Sequence, residues 1–163
     1  MKLDRRLCAI DGVVRDVASL VEHKAKDQGI TVDIEIAPRL PEVMADPELL
    51  KTCLLNLAIN ALDAMPSGGR LSLALGAEPG ALVVRVQDTG GGMTSEQVGT
   101  AFEPYVSSKE TGFGLGLALT RQIVDDHGGT ISLDSVPARG TTVVLRLPLP
   151  SPADERRPAA LAS

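Results

Sequence analysis

The stretch NLAINALDAM, residues 56–65, decides the fold, because it ends a long predicted helix that carries a polar stripe beside an apolar one. We expect this helix to begin where Asp46 caps its first turn and Pro47 takes its first position, and to end near Met65, before PSGG. Apolar residues recur along it at helical spacing: Leu50, Cys53, Leu54, Leu57 and Ala61. This stripe predicts a helix that packs on a sheet.

The polar stripe consists of Asn56, Asn60 and Asp63. These residues stand at i, i+4 and i+7, so they line one flank of the helix. Amide and carboxylate oxygens in a row suit a hydrated Mg²⁺, which binds through few protein groups together with substrate phosphates. Taken alone, a solvated helix face is the simpler interpretation of this stripe.

The segments around this helix predict an α+β protein. Helical periodicity marks 12–28 and 115–127, and extended segments are expected at 31–36, 70–76, 81–88, 130–135 and 141–149. The order predicts a two-layer α/β sandwich, with a mixed, mostly antiparallel sheet and helices on one face. Residues 1–150 are expected to form one domain. Residues 151–163, rich in Pro, Ala and charge, are expected to be a disordered tail.

Two glycine-rich turns come after this helix. In DTGGGM (88–93), Asp88 ends a strand, where a carboxylate accepts from an exocyclic amine, and the glycines let the backbone approach a flat ring. GFGLGLALT (112–120) opens a helix, whose N-terminal N–H groups bind anions. It matches neither the Walker loop nor the dinucleotide fingerprint. Alone, a plain turn and a helix packed closely through glycine explain the two segments as well.

A long segment, about 94–113, joins these turns and is expected to be a flexible lid. Its Lys109 is the only lysine after Lys51, and its position suits a phosphate contact, although a solvated lysine is the simpler interpretation in isolation. The only aromatic residues of the chain, Phe102, Tyr105 and Phe113, all lie here. The core must therefore be aliphatic.

Composition excludes several function classes. The formal charge is −5 with no Lys/Arg cluster, which argues against a nucleic-acid partner. No apolar run reaches the length of a membrane span, and the N-terminus does not resemble a signal peptide. Cys8 and Cys53, both in helix-like sequence, are expected to be reduced, half-buried thiols of a cytosolic protein. His23 and His127 are too few for a His-based metal site or triad.

Taken together in this order, the motifs resemble the ATP-binding catalytic domain of sensor histidine kinases, a Bergerat-type fold shared with gyrase, Hsp90 and MutL. The matching strings are NLAINALDAM, DTGGGM, FEPYVSSK, GFGLGLALTRQIVDDHGG and GTTVVLRLP, within 46–147. Residues 12–45 resemble the first helix and strand of that domain. NALDAMPSGG is more similar to the nitrogen-regulation branch of this family than to the branch that has a Lys and an aromatic residue after Asn-Ala.

The resemblance implies ATP and Mg²⁺ as cofactors and assigns site residues. It places Asn60 on Mg²⁺, Asn56 near the phosphates, and Asp88 on the adenine amine, directly and through a water shared with Thr141. The resemblance also implies that Gly90 and Gly92 shape the adenine pocket. The lid and its phosphate-binding end would include Lys109, Gly112, Gly114, Leu115 and Gly116. Leu117 would serve packing, as would the side chain of Leu115. Asn56, Asn60 and Lys109 would act directly in phosphoryl transfer. Asp63 is a less certain ligand.

The resemblance also predicts what the chain lacks. The phosphoacceptor histidine of that family is followed by Glu or Asp within a helix, whereas Lys24 follows His23 and Gly128 follows His127. The expected partner is therefore a histidine-containing dimerisation domain, in the same protein or a separate chain, and indirectly a response regulator. We expect a cytoplasmic location, or the cytosolic part of a membrane-bound sensor, with no direct membrane contact.

Three alternatives remain open from sequence alone. These are an anti-sigma type Ser/Thr kinase, a non-catalytic ATP-binding signalling module, and an ATP-driven clamp of the gyrase, Hsp90 or MutL type. The clamp ranks low, because it needs a carboxylate where Asn56 stands.

Overall fold

The computed structural model describes residues 2–103 and 114–150 of the chain. Its elements, in chain order, are β1 (Arg6–Cys8), α1 (Asp11–Asp27), β2 (Ile30–Ile36), β3 (Val43–Ala45), α2 (Pro47–Asp63), β4 (Gly69–Glu78), β5 (Ala81–Asp88), α3 (Ser95–Thr100), α4 (Gly114–Asp126), β6 (Thr130–Val136) and β7 (Gly140–Pro148). All helices and strands expected from the sequence are present, with ends within a few residues.

The main sheet of the described residues has five strands in the order β2-β4-β5-β7-β6. β2 pairs parallel to β4, and every other neighbouring pair is antiparallel. This confirms the mixed, mostly antiparallel sheet. Asp88, Thr141 and Ser135 lie side by side on β5, β7 and β6, since Asp88 pairs with Thr141 and Thr141 with Ser135.

The core lies between this sheet and helices α1, α2 and α4, with α2 in the middle. It is aliphatic, as the absence of Trp and the confinement of the aromatic residues to one segment predict. On β4, Leu71, Leu73 and Leu75 are buried, whereas the residues between them are partly exposed. This period of two is the pattern of a strand that presents one face to packed helices.

The start of α2 confirms the cap expected from its sequence. Asp46 accepts a hydrogen bond from the Leu49 backbone N–H at 3.1 Å, and Pro47 follows it in the first turn. Asp46 also accepts from the Asp4 backbone N–H at 3.0 Å. This bond, first among several backbone donors, holds the pKa of Asp46 below its ordinary value of 3.8, because the N–H groups favour the charged carboxylate.

Three short elements were not expected from the sequence. β1 and β3 form a separate antiparallel pair of three residues each, too short to show a period. α3 has six residues, none of them buried, and lies within the segment 94–113, where the sequence showed no clean period and a flexible lid was expected. It forms because Thr94 and Gln97 cap each other's backbone N–H groups, and no apolar face is needed.

The interpretation of the cysteines needs correction. Cys8 lies in strand β1 rather than in a helix, and Cys53 is fully buried rather than half-buried. Both are free thiols. The Cys53 thiol donates to the Thr120 carbonyl oxygen at 3.6 Å and so links α2 to α4. Burial raises the pKa of Cys53 to about 12.

Candidate functional site

Asp88 ends β5 on the helix-covered side of the sheet, and only 7% of it is exposed. Its carboxylate accepts a hydrogen bond from the Gly90 backbone N–H at 2.8 Å. The chain after the strand therefore folds back over Asp88 and fixes its orientation. A carboxylate held in this way presents only acceptors to a ligand.

The turn 88–93 is wedged between the end of α2 and the β6–β7 hairpin. A Cβ at Gly90 would lie 2.5 Å from the Ala64 carbonyl oxygen. Gly92 has a φ of +69°, and a Cβ there would collide with the Val136 carbonyl group. These two positions accept only glycine without displacement of the backbone. The sequence predicted them as pocket-shaping residues; the structure places them where the turn contacts its neighbours.

Gly140 supports Asp88 from the other side and was not predicted as part of the site. It is buried, with a φ of +107°, and a Cβ there would lie 2.9 Å from the carbonyl carbon of Asp88 and closer still to its oxygen. The sequence offered one signal for Gly140: it directly precedes Thr141 and opens the string GTTVVLRLP, which carried the family resemblance.

A hydroxyl network involving Ser135 lies beside Asp88, and it too was missed. Ser135 Oγ accepts from the Met93 backbone N–H at 2.8 Å, donates to the Gly140 carbonyl oxygen at 3.1 Å and lies 2.7 Å from Thr141 Oγ1. The sequence did carry a signal. In TISLDS, Ile131, Leu133 and Ser135 share one face, so a hydroxyl continues an apolar row.

The polar stripe of α2 reaches the same region. Asn56 and Asn60 are half-buried, and the Asn60 carbonyl oxygen accepts the Ala64 backbone N–H at 3.1 Å. The Ala64 carbonyl oxygen in turn accepts from Gly91 N–H at 3.4 Å. The structure thus brings Asn60 within one helical turn of the residue that contacts the turn 88–93.

One oxygen of Asp63 faces α1: Oδ1 lies 3.6 Å from Lys24 Nζ. Its Oδ2 is buried and has no hydrogen-bond partner among the described residues, so Asp63 stays a candidate ligand on this flank beside Asn56 and Asn60. Among residues 2–103 and 114–150, no three His, Cys, Asp or Glu side chains are grouped to hold a metal ion. Two amide oxygens fit Mg²⁺, which commonly uses one or two protein ligands and takes the rest from phosphates and water.

Helix α4 begins at Gly114, so Gly114, Leu115 and Gly116 form its first turn. Lys109 and Gly112 lie outside the described residues. Leu117 is partly buried against the core, in line with its expected packing role.

The far end of α4 is fixed by His127. Its Nε2 accepts from Asp46 backbone N–H at 3.0 Å, and its Nδ1 lies 2.7 Å from the Ile123 carbonyl oxygen. Nδ1 must carry the proton, because a carbonyl oxygen can only accept. Both ring nitrogens are thus used within the fold, and His127 is structural. His23, by contrast, is exposed on α1, 3.4 Å from Asp27.

Comparison with known proteins shows which family of proteins has a similar sequence. The family described as histidine kinase-, DNA gyrase B- and HSP90-like ATPase matches residues 45–151. Sensor histidine kinase ZraS of Klebsiella oxytoca is 38% identical over 141 residues, which are 86% of this chain and 30% of ZraS. Sporulation kinase E of Bacillus subtilis (strain 168) is 30% identical over 146 residues, 89% of this chain and 20% of that kinase. The chain spans about a third or less of the length of these curated relatives.

Solved structures agree. The nucleotide-free catalytic domain of histidine kinase ThkA has a TM-score of 0.82 and 26% identity, covering 90% of this chain and 96% of that domain. Full-length ShkA, solved in complex with AMPPNP, has a TM-score of 0.82 and 29% identity, covering 91% of this chain and 32% of ShkA. The chain therefore belongs to the family of histidine kinase-, DNA gyrase B- and HSP90-like ATPases.

Proposed function

We propose that this chain is the catalytic domain of a sensor histidine kinase: it binds Mg-ATP and donates the γ-phosphoryl group to a histidine on a separate dimerisation domain. The observation that carries the proposal is the setting of Asp88. It is a buried carboxylate at a strand end, held by Gly90 and flanked by Thr141, on a fold that matches a histidine kinase catalytic domain over 96% of that domain's length.

Binding of the base begins at Asp88. Its carboxylate can only accept hydrogen bonds, so it selects the exocyclic amine of adenine and disfavours a carbonyl oxygen at the same place. Thr141 would share a bridging water with it. At Gly90 and Gly92 a Cβ would collide with Ala64 and Val136, so these glycines let the turn that would line the pocket pack against α2 and β6.

Binding of the phosphates uses the other end of the site. The backbone N–H groups of the first turn of α4, residues 114–116, would bind phosphate oxygens, because a helix N-terminus presents unpaired donors and a positive dipole end. Lys109 and Gly112 would belong to the lid that closes over them. Asn60, with Asn56 nearby, would hold the Mg²⁺ ion, which neutralises phosphate charge when it is bound.

Phosphoryl transfer needs positioning and charge neutralisation more than covalent help from the protein. The acceptor must come from outside the described site. His127 uses both ring nitrogens within the fold, and His23 sits on α1 beside Asp27. We therefore propose that the phosphoacceptor domain is a different part of a longer protein or a separate chain, and that a response regulator receives the phosphoryl group from it.

We also propose the boundaries expected from the sequence: residues 1–150 form the domain, with a lid near 94–113, and 151–163 are a tail. We propose a cytoplasmic location, where ATP is available. Within the part of the chain that the structure describes, no helix is long and apolar enough to cross a bilayer.

Titration with a fluorescent ATP analogue, with and without Mg²⁺, tests the nucleotide site. Asp88→Asn should weaken adenine nucleotides about tenfold to a hundredfold in either condition, because it loses a hydrogen bond to a charged group. Asn60→Ala should lose affinity only when Mg²⁺ is present. Asp134→Ala is the matched control, since Asp134 is exposed on β6. Equal affinities for wild type and Asp88→Asn would contradict the assignment.

A further inference from the structure

We propose that Ser135 is a positioning residue that sets the selectivity of this site for adenine, by fixing which way the Thr141 hydroxyl points. The inference rests on the proposed nucleotide site and deepens it. Ser135, Thr141 and Asp88 occupy paired positions on three adjacent strands, so their side chains form one row on the same side of the sheet.

The hydrogen of each hydroxyl in this row can be assigned by counting. A serine hydroxyl has one hydrogen and two acceptor positions. Met93 backbone N–H, 2.8 Å away, can only donate to Ser135 Oγ. The Gly140 carbonyl oxygen, 3.1 Å away, can only accept the Ser135 hydrogen. With the Ser135 hydrogen on the Gly140 carbonyl oxygen, the one position left on Ser135 is an acceptor, so the Thr141 hydroxyl, 2.7 Å away, donates to it.

This assignment has a consequence for the pocket. Because the hydrogen of Thr141 is committed to Ser135, Thr141 Oγ1 offers only acceptor positions toward Asp88. Asp88 is itself an acceptor that is already fixed by Gly90. The row therefore presents acceptors alone. It matches the amine of adenine and rejects the 6-oxo group of hypoxanthine or guanine, because two acceptors facing each other leave both without a partner.

Ser135 also fastens the far end of the turn. The Met93 N–H bond fixes residue 93, and the Asp88–Gly90 bond fixes its start, so the turn is held at both ends. Loss of the Ser135 hydroxyl removes one hold and releases the Thr141 hydrogen. Thr141 can then rotate and donate to the water it would share with Asp88, and this water can turn a hydrogen toward a 6-oxo purine. The effect is a change in base selectivity rather than a uniform loss of affinity.

The test is the ratio of affinities for ATP and ITP, measured by calorimetric titration with Mg²⁺. Ser135→Ala should lower the ATP-to-ITP preference by about three- to tenfold, the value of one hydrogen bond. Ser132→Ala, on the same strand but exposed, is the control and should leave the ratio unchanged. Thermal unfolding of each variant shows whether the fold is retained.

A nearly isosteric pair keeps the test sharp if Ser135→Ala fails to fold. Ser135→Thr keeps the hydroxyl and should preserve the ratio, whereas Ser135→Val has the same shape without it and should lower the ratio. Equal ratios in wild type, Ser135→Ala and Ser135→Val would overturn the role of Ser135 while leaving the nucleotide site intact. If wild type binds neither ATP nor ITP, the proposed function itself fails.

Discussion

Gly140→Ala tests how tightly the nucleotide site is built into the fold. Gly140 has a φ of +107°, where an L side chain is strained by about 1–3 kcal/mol. The added Cβ would lie 2.9 Å from the Asp88 carbonyl carbon and closer to its oxygen, whereas real Cβ atoms essentially never approach within 3.0 Å. Both residues are buried, so relief requires a backbone shift that costs a further 1–3 kcal/mol or so. The sum is about 4 kcal/mol.

In a chain of this size, about 4 kcal/mol corresponds to a fall in Tm of roughly 8–16 °C. Two matched variants separate the causes. Gly80→Ala has a positive φ of +83° but nothing within 4 Å of the new Cβ, so it should cost only about 1–2 kcal/mol. Gly76→Ala has neither strain nor a close neighbour and should change stability by less than about 1 kcal/mol.

The same three variants should separate in nucleotide affinity. Gly140→Ala moves the carbonyl group of Asp88, so we expect ATP affinity to fall at least about tenfold, whereas Gly80→Ala and Gly76→Ala should bind like wild type. Calorimetric unfolding and nucleotide titration measure the two effects. If Gly140→Ala has the same Tm as Gly80→Ala and binds ATP with the affinity of wild type, the close packing of Gly140 against the Asp88 carbonyl group is refuted.

Two further predictions concern the helical layer. Because the pKa of Asp46 is lower in the folded state, its charged carboxylate stabilises the fold. This contribution is complete above the ordinary pKa of 3.8 and is lost as the pH falls through the lower folded value. Asp46→Ala should therefore lower the free energy of unfolding by about 1–2 kcal/mol at neutral pH, as urea unfolding would measure. The difference between variant and wild type should shrink near pH 3. A difference that does not change with pH would exclude the charge of Asp46 as its cause. Burial raises the pKa of both thiols, and that of the fully buried Cys53 to about 12. Iodoacetamide should therefore label the half-buried Cys8 slowly in the folded protein and Cys53 only in denaturant, as mass spectrometry would show. Labelling of Cys53 at the rate of Cys8 would contradict its burial.

The sequence predicted the features that depend on neighbouring residues. The cap at Asp46, the period of α2 and the extended segments of β4 and β5 are local, so each could be recognised without a partner. The order of the helices and strands then predicted the α+β sandwich, and the order of the motifs predicted the family. The nitrogen-regulation branch and the residue roles stay predictions.

Strand register and helix placement decide the features that the sequence could not predict. Gly140 belongs to the site because β5 and β7 pair so that its neighbour Thr141 lies opposite Asp88, and Ser135 belongs to it through the pairing of β6. α1 places Lys24 beside Oδ1 of Asp63. The pairings themselves leave no local pattern, although Ser135 continues an apolar row and Gly140 directly precedes Thr141. Lys109 and Gly112, by contrast, lie outside the described residues, and their roles rest on the resemblance.

Short elements were missed for a different reason. β1, β3 and α3 contain three to six residues, fewer than a period needs to become visible. The capping box of α3 was the one available local signal, in Thr94 and Gln97, and it was hidden by the expectation of an irregular lid.

The most direct test of the central claim is phosphoryl transfer to a histidine outside this chain. The chain is incubated with γ-labelled ATP and Mg²⁺, alone and with the isolated histidine-containing dimerisation domains of sensor histidine kinases, ZraS included. We predict acid-labile label on an added domain, little or none on this chain, and loss of transfer in Asn60→Ala. Strong acid-labile label on this chain alone, or acid-stable label on an added protein, would contradict the account.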